Sequence, residues 1–209
     1  MAYIIRESFE DKFIKTEVHF DDSRDALDNF FKTTKAFPGT SRNASWKTGN
    51  VISPEVMPKR LRITKGKQIY DWLAVRKGGN LVSSAFRDAV EEIEPGRHQF
   101  FPVTVVDKDD VARPEKFFIF NIVGRIDSII EEKSNLKASG RGQIEAWGYE
   151  RRVGPWRCAM DAAIIDGRAC WIEHRYAVSP FVSDRLAALL QQRQLCGFNL
   201  HDHCEEIPR

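Results

Sequence analysis

The chain lacks any apolar run near the about 20 residues that a membrane-spanning helix requires, so nothing in its 209 residues reads as such a helix. It lacks a charge of one sign. Its 32 basic residues against 30 acidic ones leave a formal net charge of +2. That balance offers no global electrostatic case for a nucleic-acid or membrane partner. The stretch from Met1 to Lys15 carries both signs and no long apolar core, which argues against a secretory signal. Cysteine is scarce. Cys158, Cys170, Cys196 and Cys204 are scattered through the last quarter of the chain, and free thiols in a reducing cytoplasm are the expectation. There is no G-x-S-x-G elbow for a serine hydrolase. Gly78-Gly79 and Gly140-Arg141-Gly142 lack the Lys-Ser/Thr partner of a phosphate loop. No linker divides the chain, so one domain over residues 1–209 is expected.

What is present is a phrase written twice. Leu81-Val82-Ser83-Ser84-Ala85-Phe86 returns as Phe181-Val182-Ser183-Asp184-Arg185-Leu186, with the two serines 100 residues apart. Each serine is placed to cap a helix, because its side-chain oxygen can accept an orphan amide of the first turn. After Ser83, the residues Ala85, Phe86, Ala89, Val90 and Ile93 make one helical face. After Ser183, Leu186, Leu189 and Leu190 do the same. Pro95-Gly96 and Gly197 then stop the helices. The unit reads as strand, capped helix, turn, strand. Two such units are too few for a solenoid, and a chance likeness between capped helices competes with internal duplication.

The rest of the chain reads mainly as strands. Phe13–Phe20, Pro58–Thr64, Gln68–Val75 and Phe100–Val106 are expected strands. Phe117–Val123 is the most apolar run and is expected to be central. Ser23–Thr34 is expected to be a helix, with Ala26, Leu27, Phe30 and Phe31 on one face. Residues 37–58 form a long loop carrying Trp46, Asn135–Arg141 a polar loop, and Asp127 with Ile129-Ile130 a short turn or helix. Asp166-Gly167 between two apolar runs predicts a hairpin joining Ala162–Ile165 to Ala169–Ile172. Helices do not alternate regularly with strands. The expected class is therefore α+β: a mixed, mostly antiparallel sheet with a few short amphipathic helices.

Candidate chemistry is sparse. Cys196, His201, His203 and Cys204 supply two thiols and two imidazoles, a donor set for tetrahedral zinc, but at a spacing foreign to zinc fingers. They carry the alternative of a metal-dependent hydrolase or a modification-reversing enzyme; otherwise no metal and no cofactor is expected. Cys170 with His174 offers a thiol–imidazole pair, although Cys170 reads as a buried structural residue. Arg151-Arg152-Val153-Gly154-Pro155-Trp156-Arg157 mixes basic and aromatic groups and suits either a surface loop with one anchoring tryptophan or a phosphate contact. Acidic runs at Glu91-Glu92-Glu94, Asp107-Asp109-Asp110 and Glu131-Glu132 are solvated faces or steer a basic partner.

Three of these segments, in order, carry a family resemblance. LVSSAFRDAVEEIEPGRHQFFPV, residues 81–103, then FFIFNIVGRIDSI, Phe117 to Ile129, with Asn121 and Asp127 at polar positions, then Phe181–Leu186 with Gly197 beyond it, together resemble the immunity protein 11 family of bacterial polymorphic toxin systems. The resemblance spans roughly residues 60–200. It implies a non-enzymatic cytoplasmic protein whose partner is a cognate toxin, neutralised by stoichiometric occlusion. It transfers no catalytic residue. Were the toxin a nuclease, its basic groove would suit an acidic patch, and Glu91, Glu92 and Glu94 are the candidates for that contact. No membrane or direct nucleic-acid partner is implied, and the oligomeric state is left open.

Overall fold

The computed structural model describes residues 1–8, 16–36, 42–76, 78–138, 147–149, 156–174, 176 and 179–208, with the side chains of 136–138, 147–149 and 202 outside that description. The architecture is α+β. One six-stranded sheet is built from β2 (Glu17–Phe20), β3 (Arg60–Lys65), β4 (Trp72–Ala74), β5 (Asn80–Ser83), β6 (Gln99–Val106) and β7 (Phe117–Asn121), in the order β2-β3-β6-β7-β5-β4. A second contains β1 (Ala2–Glu7), β8 (Arg125–Ile126), β11 (Ala159–Asp161), β12 (Cys170–Glu173), β13 (Phe181–Ser183) and β14 (Phe198–Ile207), in the order β11-β14-β1-β13-β12-β8. β9 (Leu136–Ala138) and β10 (Trp147–Tyr149) form a separate antiparallel pair. The helices are α1 (Asp25–Thr33), α2 (Ser84–Ile93), the single turn α3 (Ala162–Ile165) and α4 (Asp184–Gln192).

The twinned phrase marks two units of the same topology. In the first, β5 leads through α2 to β6, and β7 lies between β5 and β6, antiparallel to both. In the second, β13 leads through α4 to β14, and β1 lies between them, again antiparallel to both. β3 runs parallel to β6, and β11 runs parallel to β14. β4 is antiparallel to β5, and β12 to β13. The match extends to single bonds: the Ser83 amide donates to the Asp71 carbonyl (3.1 Å), and the Ser183 amide to the Ala169 carbonyl (2.9 Å). Phe117 stands across from Ser83 as Ala2 stands across from Ser183. Five strands and one helix thus follow the same path twice. The difference lies in connectivity, since the middle strand of the second unit comes from the N-terminus.

Both predicted caps form. The side-chain oxygens of Ser83 and Ser183 accept the amides of Phe86 and Leu186, each at 3.2 Å. The apolar stripes of the two helices then meet the inner faces of both sheets in one cluster. Phe86, Val90, Leu186 and Leu190 pack there with Phe118, Phe120, Ile5 and Val182. Burying each of these large side chains contributes roughly 1.5–3 kcal/mol. β7 is buried on both faces. Phe118 and Phe120 face the helices, while Phe117 and Ile119 enter a second cluster under Leu27 of α1. β1 divides likewise, with Ile5 toward the helices and Ile4 in a third cluster with Trp171 and Phe181. Gly197 sits at φ +97, where a Cβ would lie 2.4 Å from the Trp72 carbonyl oxygen. The turn after α4 therefore presses backbone to backbone against the start of β4, a contact open only to glycine.

Several expectations need correction. The hairpin over Ala162–Ile172 is absent. Asp161 accepts the Ala163 amide (3.0 Å) and starts α3, and β12 pairs with β13 and β8 instead. Asp166-Gly167 is the turn between them, and a carboxylate cap has overridden the hairpin signal. The Asn135–Arg141 loop is a strand over Leu136–Ala138, with 139–141 outside the described residues. The first strand of the chain, β1, was not expected, and the expected strand from Phe13 is strand only from Glu17, with residues 13–15 outside the description. Gly140-Arg141-Gly142 and residues 151–155 of the basic segment also lie outside it. Within that segment Trp156 packs edge-on against Tyr176, with ring centroids 5.8 Å apart.

Candidate functional site at the seam between the units

Where the two units meet, their side-chain chemistry converges. Glu94 ends α2, and His98 follows in the turn to β6. Glu94 Oε2 accepts the Ala169 amide at 2.9 Å and lies 3.2 Å from His98 Nε2. Cys170 Sγ is 3.3 Å from the same imidazole nitrogen. The result is a Cys–His–Glu constellation, assembled across 72 positions of chain. His98, and not His174, is the histidine beside Cys170. Sequence spacing could not show this, because the pairing depends on the packing of α2 against the second sheet.

The constellation is arranged for structure. His98 Nδ1 accepts the Val123 amide (3.2 Å). The ring proton of the neutral imidazole therefore resides on Nε2 and points toward Glu94. An Nε2 that already carries its proton cannot take one from Cys170, which is the step a nucleophilic thiol requires. Cys170 is 1 % exposed, and burial drives its thiol pKa well upward, with the Glu94 charge adding to the effect. Burial also acts to raise the Glu94 carboxyl, but the bonds from His98 and the Ala169 amide outweigh it and hold the group below its ordinary value.

A matching tie closes the other side of the seam. Asp71, at the position equivalent to Ala169, accepts the Ser83 hydroxyl at 2.6 Å and the Cys196 amide at 2.9 Å. Each unit thus binds the turn that follows the other unit's helix. In one direction the carboxylate stands before the strand and the amide after the helix; in the other the roles are exchanged.

The acidic candidates fall at the end of α2. Glu91 accepts the Gly96 amide at 2.9 Å and closes its own helix. Glu92 is exposed and ion-paired with Arg193 at the end of α4. Glu94 is half-buried, with its side chain 13 % accessible. The zinc donors do not converge. Cys204 is 0 % exposed, in thiol contact with Cys158, while His201 and His203 remain at the surface. Cys196 is tied to Asp71 before the strand begins. Among the described residues no group of three or more His, Cys, Asp or Glu side chains could hold a metal ion.

The polar positions of the resemblance are also internal or local. Asn121 is 1 % exposed and donates to the Asn50 carbonyl (2.9 Å) and to Gln99 Oε1 (2.8 Å), fastening the long loop to β6 and β7. Asp127 is exposed beside the buried Ser128.

Fold and site together define a two-unit α+β protein whose thiol–imidazole–carboxylate contact holds its halves together. The chain matches the sequence profile of the Imm11 immunity protein family over residues 12–205, and it belongs to that family. Comparison with curated proteins gave no match. Among the described residues no helix is long and apolar enough to cross a membrane.

Proposed function

We propose that this chain binds a cognate bacterial toxin and neutralises it by covering the surface the toxin needs, with no chemical step of its own. Membership of an immunity protein family carries the reading. The inward commitment of Cys170, His98 and Glu94 supports the absence of chemistry at that cluster, since its proton-accepting nitrogen is already protonated. A cytoplasmic place of action and a secreted polymorphic toxin as target belong to the same proposal. An occluding interface of this kind buries on the order of 1,600 Å² and draws its affinity from a few residues.

Glu91 and Glu92, at the outer end of α2, are the proposed contacts for a basic toxin groove such as a nuclease presents. Glu94 is proposed to act with them by holding that end of the helix through His98 and Ala169. Co-expression with the toxin gene adjacent to this one tests the function: cells survive, and the two proteins co-elute on size exclusion. Cell death with no complex would end the proposal. Glu91→Lys with Glu92→Lys tests the patch without touching the half-buried Glu94. Rescue should weaken while the melting temperature stays within a few degrees, and unchanged toxin affinity would remove these two residues from the interface.

A further inference from the structure

We propose that the cleft on the seam between the two units is a binding site for a small molecule that joins an apolar body to a carboxylate. The cleft has a volume of about 420 Å³, inside the roughly 300–1,000 Å³ range of small-molecule sites, which favour such junctions.

Its walls come in pairs from equivalent places in the two units. Ala74 is matched by Ile172, Asn80 by Pro180, and Phe120 by Ile5. The cleft therefore lies along the axis that relates the units, and each contributes one side. The inner surface is apolar and rigid. Trp72, Phe120, Ile5 and Ile172 are between 1 % and 4 % exposed and belong to the central core cluster. Trp46 reaches the cleft from the long loop. It lies so close over Gly79 that a Cβ there would sit 2.8 Å from Trp46 Cε3, and Phe31 holds its ring edge-on at a centroid distance of 5.5 Å.

Polar groups are few, and the charged one left without a carboxylate partner is a donor. Arg6 lines the cleft. Its Nε donates to Ser179 Oγ at 3.1 Å, and among the described residues no carboxylate pairs with it. The Asn80 side-chain amide lines the cleft as well and has no hydrogen-bond partner among the described residues. The one carboxylate of the lining, Glu7, accepts the Ala74 amide at 3.3 Å. A guanidinium with free N–H groups recognises a carboxylate through paired, charge-assisted bonds, and the aromatic and branched walls suit the ligand's apolar body. A cationic ligand would face the two positive charges of Arg6 and Lys47 against the single carboxylate of Glu7.

The test uses the purified full chain with 4-phenylbutyrate as probe, followed by titration calorimetry and tryptophan fluorescence. Binding should be saturable. It should be lost with 4-phenylbutylamine, and weaken about tenfold or more in Arg6→Gln, in keeping with one charged hydrogen bond removed. Ala74→Tyr, at an exposed rim position, should block the cleft without unfolding the protein. A short peptide ending in phenylalanine, with a free or an amidated C-terminus, separates two sources of the same chemistry. Binding of the free-ended peptide alone assigns the cleft to a chain terminus, and binding of the free acid assigns it to a metabolite. No binding of either, or equal binding of acid and amine, would overturn the proposal. All of these readouts are independent of any toxin.

Discussion

Glu173 offers the sharpest test of the physics. It lies on β12 at 0 % exposure. Ser128 donates its amide to both carboxylate oxygens, at 3.2 and 3.1 Å, and its hydroxyl to Oε2 at 2.7 Å; the His174 amide adds a bond of 3.0 Å. Burial nonetheless dominates. It lifts the carboxyl from its ordinary 4.5 to about 7, against those bonds and with the help of the nearby Asp127. A carboxyl with a raised pKa holds its proton more tightly in the folded chain than in the unfolded one. Stability from this group is therefore full below about pH 4.5 and is lost as pH rises through 7. The rise corresponds to about 3 kcal/mol in full, of which about 2 kcal/mol falls between pH 5 and pH 7. Glu173→Gln removes the charge and keeps the shape. Urea denaturation of both proteins at pH 5, 6, 7 and 8 should show the variant gaining on the parent by about 2 kcal/mol between pH 5 and pH 7. A difference that stays constant across that range would refute the claim that a buried, ionising carboxylate sits here.

Ser83→Ala and Ser183→Ala should each cost about 1 kcal/mol in chemical denaturation. Ser83→Ala should cost more, because it also takes the hydroxyl donor from Asp71; unchanged melting together with lost toxin rescue would return the serines to a functional role. Cys158 directly precedes β11 and Cys204 lies on β14, in matching positions of adjacent parallel strands with their thiols in contact. Diamide, which takes two electrons and two protons from the pair, should convert them to a disulfide under mild denaturant. The linked segment runs from the start of β11 into β14, 46 positions (204 − 158), so the chain-entropy effect is about 4 kcal/mol of added stability. Peptide mapping that finds instead a bridge to Cys170 or Cys196 would contradict the register.

The local features of this protein are legible because their causes are local. A serine followed by helical spacing caps a helix at both Ser83 and Ser183, and an apolar run such as Phe117–Asn121 is buried on both faces wherever it ends up. The hairpin expected at Asp166-Gly167 fails for a reason equally close in sequence: the preceding Asp161 offers the backbone a helix cap first. The candidate site was far less legible. Glu94, His98 and Cys170 carry no motif, and their meeting depends on a helix from one unit reaching the strand of the other. The acidic run at Glu91, Glu92 and Glu94 looked uniform in sequence, yet one residue closes a turn, one pairs with Arg193 and one holds His98 and the Ala169 amide.

The twin phrase itself shows the boundary between the two kinds of knowledge. The linear chain specifies two capped helices, their apolar stripes and their stopping points, because these follow from spacing within a dozen residues. It also determined the family, because the order of such segments is a linear property. That the two units share one fold emerges from the strand pairing alone. The second is completed by β1, paired with β13 across some 180 positions. Backbone hydrogen bonds between strands carry no mark of sequence distance, so a strand at the N-terminus can fill the place that β7 fills directly after β6 in the first unit.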